Sequence, residues 1–269
     1  MPVSDAAQTK DRPLLLGAAI YTFDISTGDA AEAAFPNAES LVLSADVLSA
    51  LAIPEGAHNV PEDHVYIITK DPDTGEQLYG LCYFHNRRDP SVPRGAIMKS
   101  LLVMARKPHF AFFLPILKAG LLRYLDSKGG AKAEDVLPTI VGHLNEVATR
   151  SQDSLVLWEQ TFAVDMPSLP ADQLGGASVL GLVQRFREDT MLIWWALLLQ
   201  LRVLFSGQPA GAVGACCLAA PLLAAPLHGF VDVTSPYVPL SHPQAVEDIK
   251  RGGRYICGVT NPMFGQKTK

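Results

Sequence analysis

A chain of 269 residues, 48% hydrophobic and 18% charged, carries apolar material for one or two packed domains, which excludes a disordered polymer. The formal net charge is -5 and no basic run tracks a phosphate backbone, so nucleic acid is excluded as a partner. Four cysteines, Cys82, Cys216, Cys217 and Cys257, form no C-x-x-C pair and no metal-ligand spacing, and read as small buried residues. Met1 to Pro13 is polar and unlike a signal peptide, which places the expectation in a reducing cytoplasm.

In chain order, Leu14 to Asp24 predicts a strand, and Gly28-Asp29 a turn into a hairpin partner over Ala30 to Phe35. Leu41 to Leu51 has apolar residues at helical spacing and stops before the loop Ile53-Pro54-Glu55-Gly56. His64 to Thr69, Leu78 to His85 and Ala96 to Ala105 predict three further strands. A turn at Asp71 to Gly75 and a polar loop at Asn86 to Gly95 join them into an antiparallel meander with one face to cover. Phe110 to Leu125 supplies that cover as a striped helix, with Pro115 in its first turn or at a kink. Asp135 to Val147 is a second, shorter helix. Leu155 to Phe162 can form a strand, whereas Pro167, Pro170, Gly175 and Gly176 mark a connector. The expected division is a first domain at residues 1–149, a linker at 150–177 and a second domain at 178–269.

The second domain centres on Thr190 to Gly214, which reads as a helix, a short strand at Val203 to Phe205, a break at Ser206, Gly207 and Pro209, and an Ala-rich helix. The first of these helices has almost no polar face, which predicts that it is buried. Helix, strand, turn and helix form the unit of an open α/β sheet. Pro209 to Phe230 is long enough to span a bilayer, but it is mostly Ala and Gly and is interrupted by Pro221 and Pro226. Leu227 to Val233 and Arg254 to Val259 are strand candidates, with a short polar helix at Gln244 to Lys250.

Gly207, Gly211 and Gly214 follow a strand and open a helix, which invites an anion-cradle reading. Their spacing matches neither G-x-G-x-x-G nor a P-loop, and the other reading is close packing of helix on sheet. Ser206 lacks the G-x-S-x-G elbow, and no two of the seven histidines stand at metal-ligand spacing. Asp24, Glu32, Asp63 and Asp89 are carboxylates at strand ends or in loops, with nothing in their spacing to join them. Neither a metal nor a cofactor is implied. Arg87, Arg88 and Arg94 cluster in one loop, as a solvated turn or a contact surface. Lys99 lies inside an apolar strand, so its charge must reach an edge or a partner.

Several stretches, in order, resemble the DENN-domain family of Rab GTPase regulators, nearest its late-secretory and polarity branch. They are Tyr21 to Pro36, Leu51 to Gly56 (LAIPEG), Leu78 to Phe84 (LYGLCYF), Arg94 to Pro108, LLLQLRVLFSGQP, and Gly258 to Phe264 (GVTNPMF). The resemblance implies a longin-like N-terminal lobe with an antiparallel sheet, and a doubly wound α/β core-DENN lobe truncated at its C-terminal end. It implies nucleotide exchange on, or binding of, a Rab-type small GTPase in vesicle trafficking, with no cofactor and at most peripheral membrane association. Under it, Arg87, Arg94, Lys99, Ser206, Gly207 and Gly211 are the candidate GTPase-binding residues. Lys99 stands where a related branch places an arginine finger, which disfavours stimulation of GTP hydrolysis because lysine makes no planar bidentate contact. The alternatives are a non-catalytic subunit of a trafficking or tethering complex, and a small-molecule α/β enzyme.

Overall fold

The computed structural model describes residues 12–24, 28–92, 95–126, 131–150, 152–164, 166, 177–227, 229–251 and 253–265. The fold is mixed α/β: an antiparallel sheet with helices on both faces, joined to a small parallel sheet with its own helices.

The first sheet contains β1 (Leu15–Asp24), β2 (Gly28–Phe35), β3 (Glu62–Lys70), β4 (Gln77–Arg88) and β5 (Ala96–Ala105), in the order β2-β1-β5-β4-β3. Every neighbouring pair is antiparallel. Alternation along the strands sorts side chains onto two faces. Ala18, Ile20, Tyr79, Leu81, Leu101 and Val103 face one core. Ala19, Tyr21, Cys82, Leu102 and Met104 face the other.

The first core is closed by α2 (Phe110–Asp126) and α3 (Ala133–Thr149), through Phe113, Leu117, Leu121, Ile140 and Leu144. Burying a side chain of this size contributes roughly 1.5–3 kcal/mol. The second core is closed by α1 (Ala45–Ala52), through Leu48 and Leu51. Both α2 and α3 continue through an internal proline, Pro115 and Pro138. A short hairpin, β6 (Ser154–Leu157) and β7 (Gln160–Ala163), lies within the stretch read as a linker, with Leu155 and Leu157 buried in the first core. Its turn residues Trp158 and Glu159 both have positive φ, 50° and 66°.

The second half runs α4 (Val179–Phe186), a 3₁₀ turn at Arg187–Asp189, α5 (Thr190–Leu198), β8 (Val203–Ser206) and α6 (Ala210–Leu223). It continues with β9 (Thr234–Ser235), α7 (Pro243–Arg251) and β10 (Ile256–Val259). Its parallel sheet has the order β8-β10-β9. Ile256 turns toward α4, α5 and α6, whereas Cys257 and Val259 turn toward α7. The strand expected over Leu227 to Val233 is not formed; Val231–Val233 is a 3₁₀ turn leading into β9.

Two expectations are corrected by the geometry. Arg87 and Arg88 lie at the end of β4, not in a loop, because the β4–β5 ladder runs on to Arg88↔Ala96. The apolar helix at Thr190 is not buried: only Thr190, Ile193 and Leu197 of α5 are inside. No helix among the described residues is long and apolar enough to cross a membrane.

Candidate functional site

Two features of the second half are candidates for function, a polar junction with the first half and an exposed apolar helix face. The junction starts from a local deficit. Helix α6 begins after Pro209, a residue with no side-chain oxygen to cap the helix, so its first N–H groups need an acceptor from elsewhere. Asp63 on β3 supplies it. Its buried carboxylate accepts from the Ala210 N–H at 2.7 Å and from the Gly211 N–H at 2.9 Å. The negative charge also opposes the positive end of the helix dipole. The anion-cradle reading of Gly207, Gly211 and Gly214 is thereby corrected, because the chain's own carboxylate occupies the place an anion would take.

The glycines serve close approach instead. A Cβ on Gly211 would enter the His64 ring, and one on Gly214 would lie 2.8 Å from Tyr66 Cδ2. The His64 Nε2 and Tyr66 Oη stand 3.0 Å apart with their rings edge to face. Burial holds the His64 imidazole below its ordinary 6.5, and pushes the Tyr66 phenol up to about 12.

A second set of bonds ties the Glu55-Gly56 loop to the far end of the chain. The Glu55 N–H donates to Tyr237 Oη at 2.8 Å, and Thr260 Oγ1 donates to the Glu55 carbonyl at 3.1 Å. Glu55 Oε1 accepts from the Leu240 N–H at 2.7 Å and the Ser241 N–H at 3.2 Å. Burial pushes the Tyr237 phenol up to about 12, so it stays neutral at physiological pH. Gly56 has a φ of 85° and leaves room for the Gln208 side chain.

The residues singled out by sequence fall into separate places. Lys99 is bonded to Glu32 and lies over the Tyr124 ring, which satisfies the charge demanded of an apolar strand. Arg87 donates to the Leu125 carbonyl at 2.6 Å, and so fastens the C-terminal end of α2 to the sheet. Ser206, Gly207 and Gly211 belong to the β8–α6 turn, beside Asp63, His64 and Gly56. Arg94 lies outside the described residues. Arg87 and Lys99 thus share the α2 end of the sheet, while the three turn residues sit against β3. Asp63 and Glu55 carry the junction, yet sequence reading left Asp63 as a strand-end carboxylate and Glu55 as a loop residue. The one available signal was a helix opening on proline without a Ser, Thr, Asp or Asn cap.

The second candidate is the outer face of α5. Met191, Leu192, Trp195, Leu198 and Leu199 form a stripe at helical spacing, with exposures from 42% to 68%. Leu201 extends it, and Leu180 and Val183 of α4 are exposed nearby in sequence. The α5 stripe with Leu201 presents on the order of 700 Å² of apolar surface, more than the roughly 300–600 Å² of the largest patch on a typical monomer. Charges stand at both of its ends: Glu188 and Asp189 before α5, and Arg202 after it, all exposed. Arg185 and Arg187 flank the acidic pair. Strand β8, with Leu204 38% exposed, forms an outer edge of the parallel sheet.

No curated protein matches the chain. Residues 176–269 match a family described as SPA, stabilization of polarity axis, and no DENN family matches. That finding overturns the DENN resemblance, and the Rab exchange-factor assignment that rested on it is withdrawn. The motifs that suggested it are short runs of strand and turn residues, whose chemistry many α/β folds share. The segment similar to the polarity-axis family is the half that carries α5, its exposed stripe and the helix capped by Asp63.

Proposed function

We propose that this chain is a non-catalytic binding subunit of an assembly that holds a polarity axis. One observation carries the reading: the apolar stripe on α5 lies inside the span that matches the polarity-axis family. Exposed apolar area of that size marks interaction surfaces in soluble folds. In this reading the first half is a rigid, longin-like platform, supported by the strand order β2-β1-β5-β4-β3 with one helix on one face and two on the other. The second half presents the stripe, and Asp63 and Glu55 set its angle to the platform. Nucleotide exchange is not part of the proposal. A small GTPase of Rab type is one partner class to test for simple binding, alongside trafficking and tethering subunits.

The test is complementation in cells that lack the chain. The wild-type chain is expected to restore a persistent growth axis, and the Leu192→Lys, Leu199→Lys double variant, expressed at equal level, is expected to fail. Cells whose axis is unchanged by loss of the chain, or a double variant that restores it fully, would sink the reading. Binding to GTPases loaded with either nucleotide, measured on the purified chain, decides that partner class separately.

A further inference from the structure

We infer that the α5 stripe seats a second copy of this chain, with the two α5 helices antiparallel about a two-fold axis. The inference deepens the proposed function by naming one partner of the same surface.

Area is the first argument. A stable interface of ordinary size covers about 800 Å² on each partner, and the stripe with the exposed residues of α4 reaches that order. The fully buried centre of such interfaces is apolar, and homodimer interfaces are more so. Trp195 lies at the middle of the stripe, 61% exposed, in the position of an anchor residue.

Charge is the second argument. A two-fold interface must be complementary to itself. Glu188 and Asp189 stand at the start of α5 and Arg202 beyond its end. Antiparallel pairing brings each acidic end to the partner's basic end, at both rims at once. The same carboxylates oppose an anionic lipid surface, which disfavours a membrane as the occupant.

Helix geometry is compatible with this pairing. The exposed positions 191, 192, 195, 198 and 199 follow i, i+3, i+4, i+7 spacing, the pattern by which two helices interdigitate side chains. A dimer also presents every other surface of the chain twice, so a multivalent partner would be held by avidity as well as affinity.

Sedimentation equilibrium of the purified full chain, at several concentrations and two salt levels, tests the inference. The expected result is twice the chain mass, with Trp195→Glu weakening the dimer roughly thirtyfold or more while circular dichroism and Tm stay unchanged. If Trp195→Glu does not fold, Leu192→Gln with Leu199→Gln takes its place, and the same loss is expected. Orientation is read by charge exchange. Asp189→Arg weakens the dimer at low salt, and adding Arg202→Glu in the same chain restores it. A wild-type monomer at every concentration overturns the inference, as does a dimer indifferent to both stripe variants. Vesicles containing phosphatidylserine that bind the wild type and not the stripe variants also overturn it. A monomer that still restores the growth axis refutes the dimer and spares the proposed function.

Discussion

Helices α5 and α6 are both apolar on nearly every side, yet one lies inside the molecule and the other largely outside. The difference is side-chain size set against available backbone. Helix α6 is built of Ala, Gly and Cys, so it can approach β3 on one side and β10 on the other. Helix α5 carries Met, Leu and Trp, which need depth to be buried, and only its inner line of Ile193 and Leu197 finds it. Composition alone therefore does not say where an apolar helix sits. Small residues let a helix be enclosed from two sides, whereas large ones on a thin sheet leave a face outward.

Breaking the close approach of α6 has the largest expected effect. A Cβ on Gly258 would strike the Pro236 carbonyl oxygen, which is backbone and cannot turn aside. Gly258→Ala is expected to cost about 3 kcal/mol or more in urea unfolding. The contrast within α5 comes next. Leu197→Ala, at a position 2% exposed, is expected to cost about 2.5 kcal/mol, whereas Leu198→Ala, at 42% exposed, stays within about 0.5 kcal/mol in the monomer. Equal losses at the two positions would erase the distinction between the inner and outer faces.

Removing the cap is a smaller change. Asp63→Ala leaves the Ala210 and Gly211 N–H groups without their acceptor, and is expected to cost about 2 kcal/mol. Asp63→Asn retains one acceptor oxygen and should recover part of that loss. The mildest effect is on pH dependence. His64 is held below its ordinary 6.5 by burial, so the unfolded chain takes up the proton first as pH falls. Stability is full above pH 6.5 and declines below it, by at most about 1.4 kcal/mol per pH unit from this one group. His85, also held low by burial, adds to the same window. Glu62 is held below its ordinary 4.5 by the Lys118 and Tyr83 hydrogen bonds, and contributes only at more acidic pH. His64→Gln should flatten the denaturation midpoint between pH 7 and 5.5, and an unchanged slope would contradict a neutral buried ring.

The strands and long helices were legible in the sequence because their signals are local. Ala96 to Ala105 was bounded correctly by its unbroken apolar run between Gly95 and Arg106. Helix α2 was found from its stripe despite Pro115. The β6–β7 turn was not read as a turn, since Trp158 and Glu159 adopt positive φ without the glycine or asparagine that normally announces it. The junction was illegible for a different reason. Asp63 meets Ala210 across 147 residues, and Glu55 meets Leu240 across 185, and no periodicity relates positions so far apart. Nor does helical spacing reveal that the outer side of α5 lacks a covering layer.

The carboxylate of Asp63 bears on where the chain can be cut. A break at residue 176 would isolate the stretch similar to the polarity-axis family, but would strip the first turn of α6 of its acceptor and bare the side that His64 and Tyr66 enclose. What looks in the sequence like a separable module is, in three dimensions, a guest whose central helix is completed by its host.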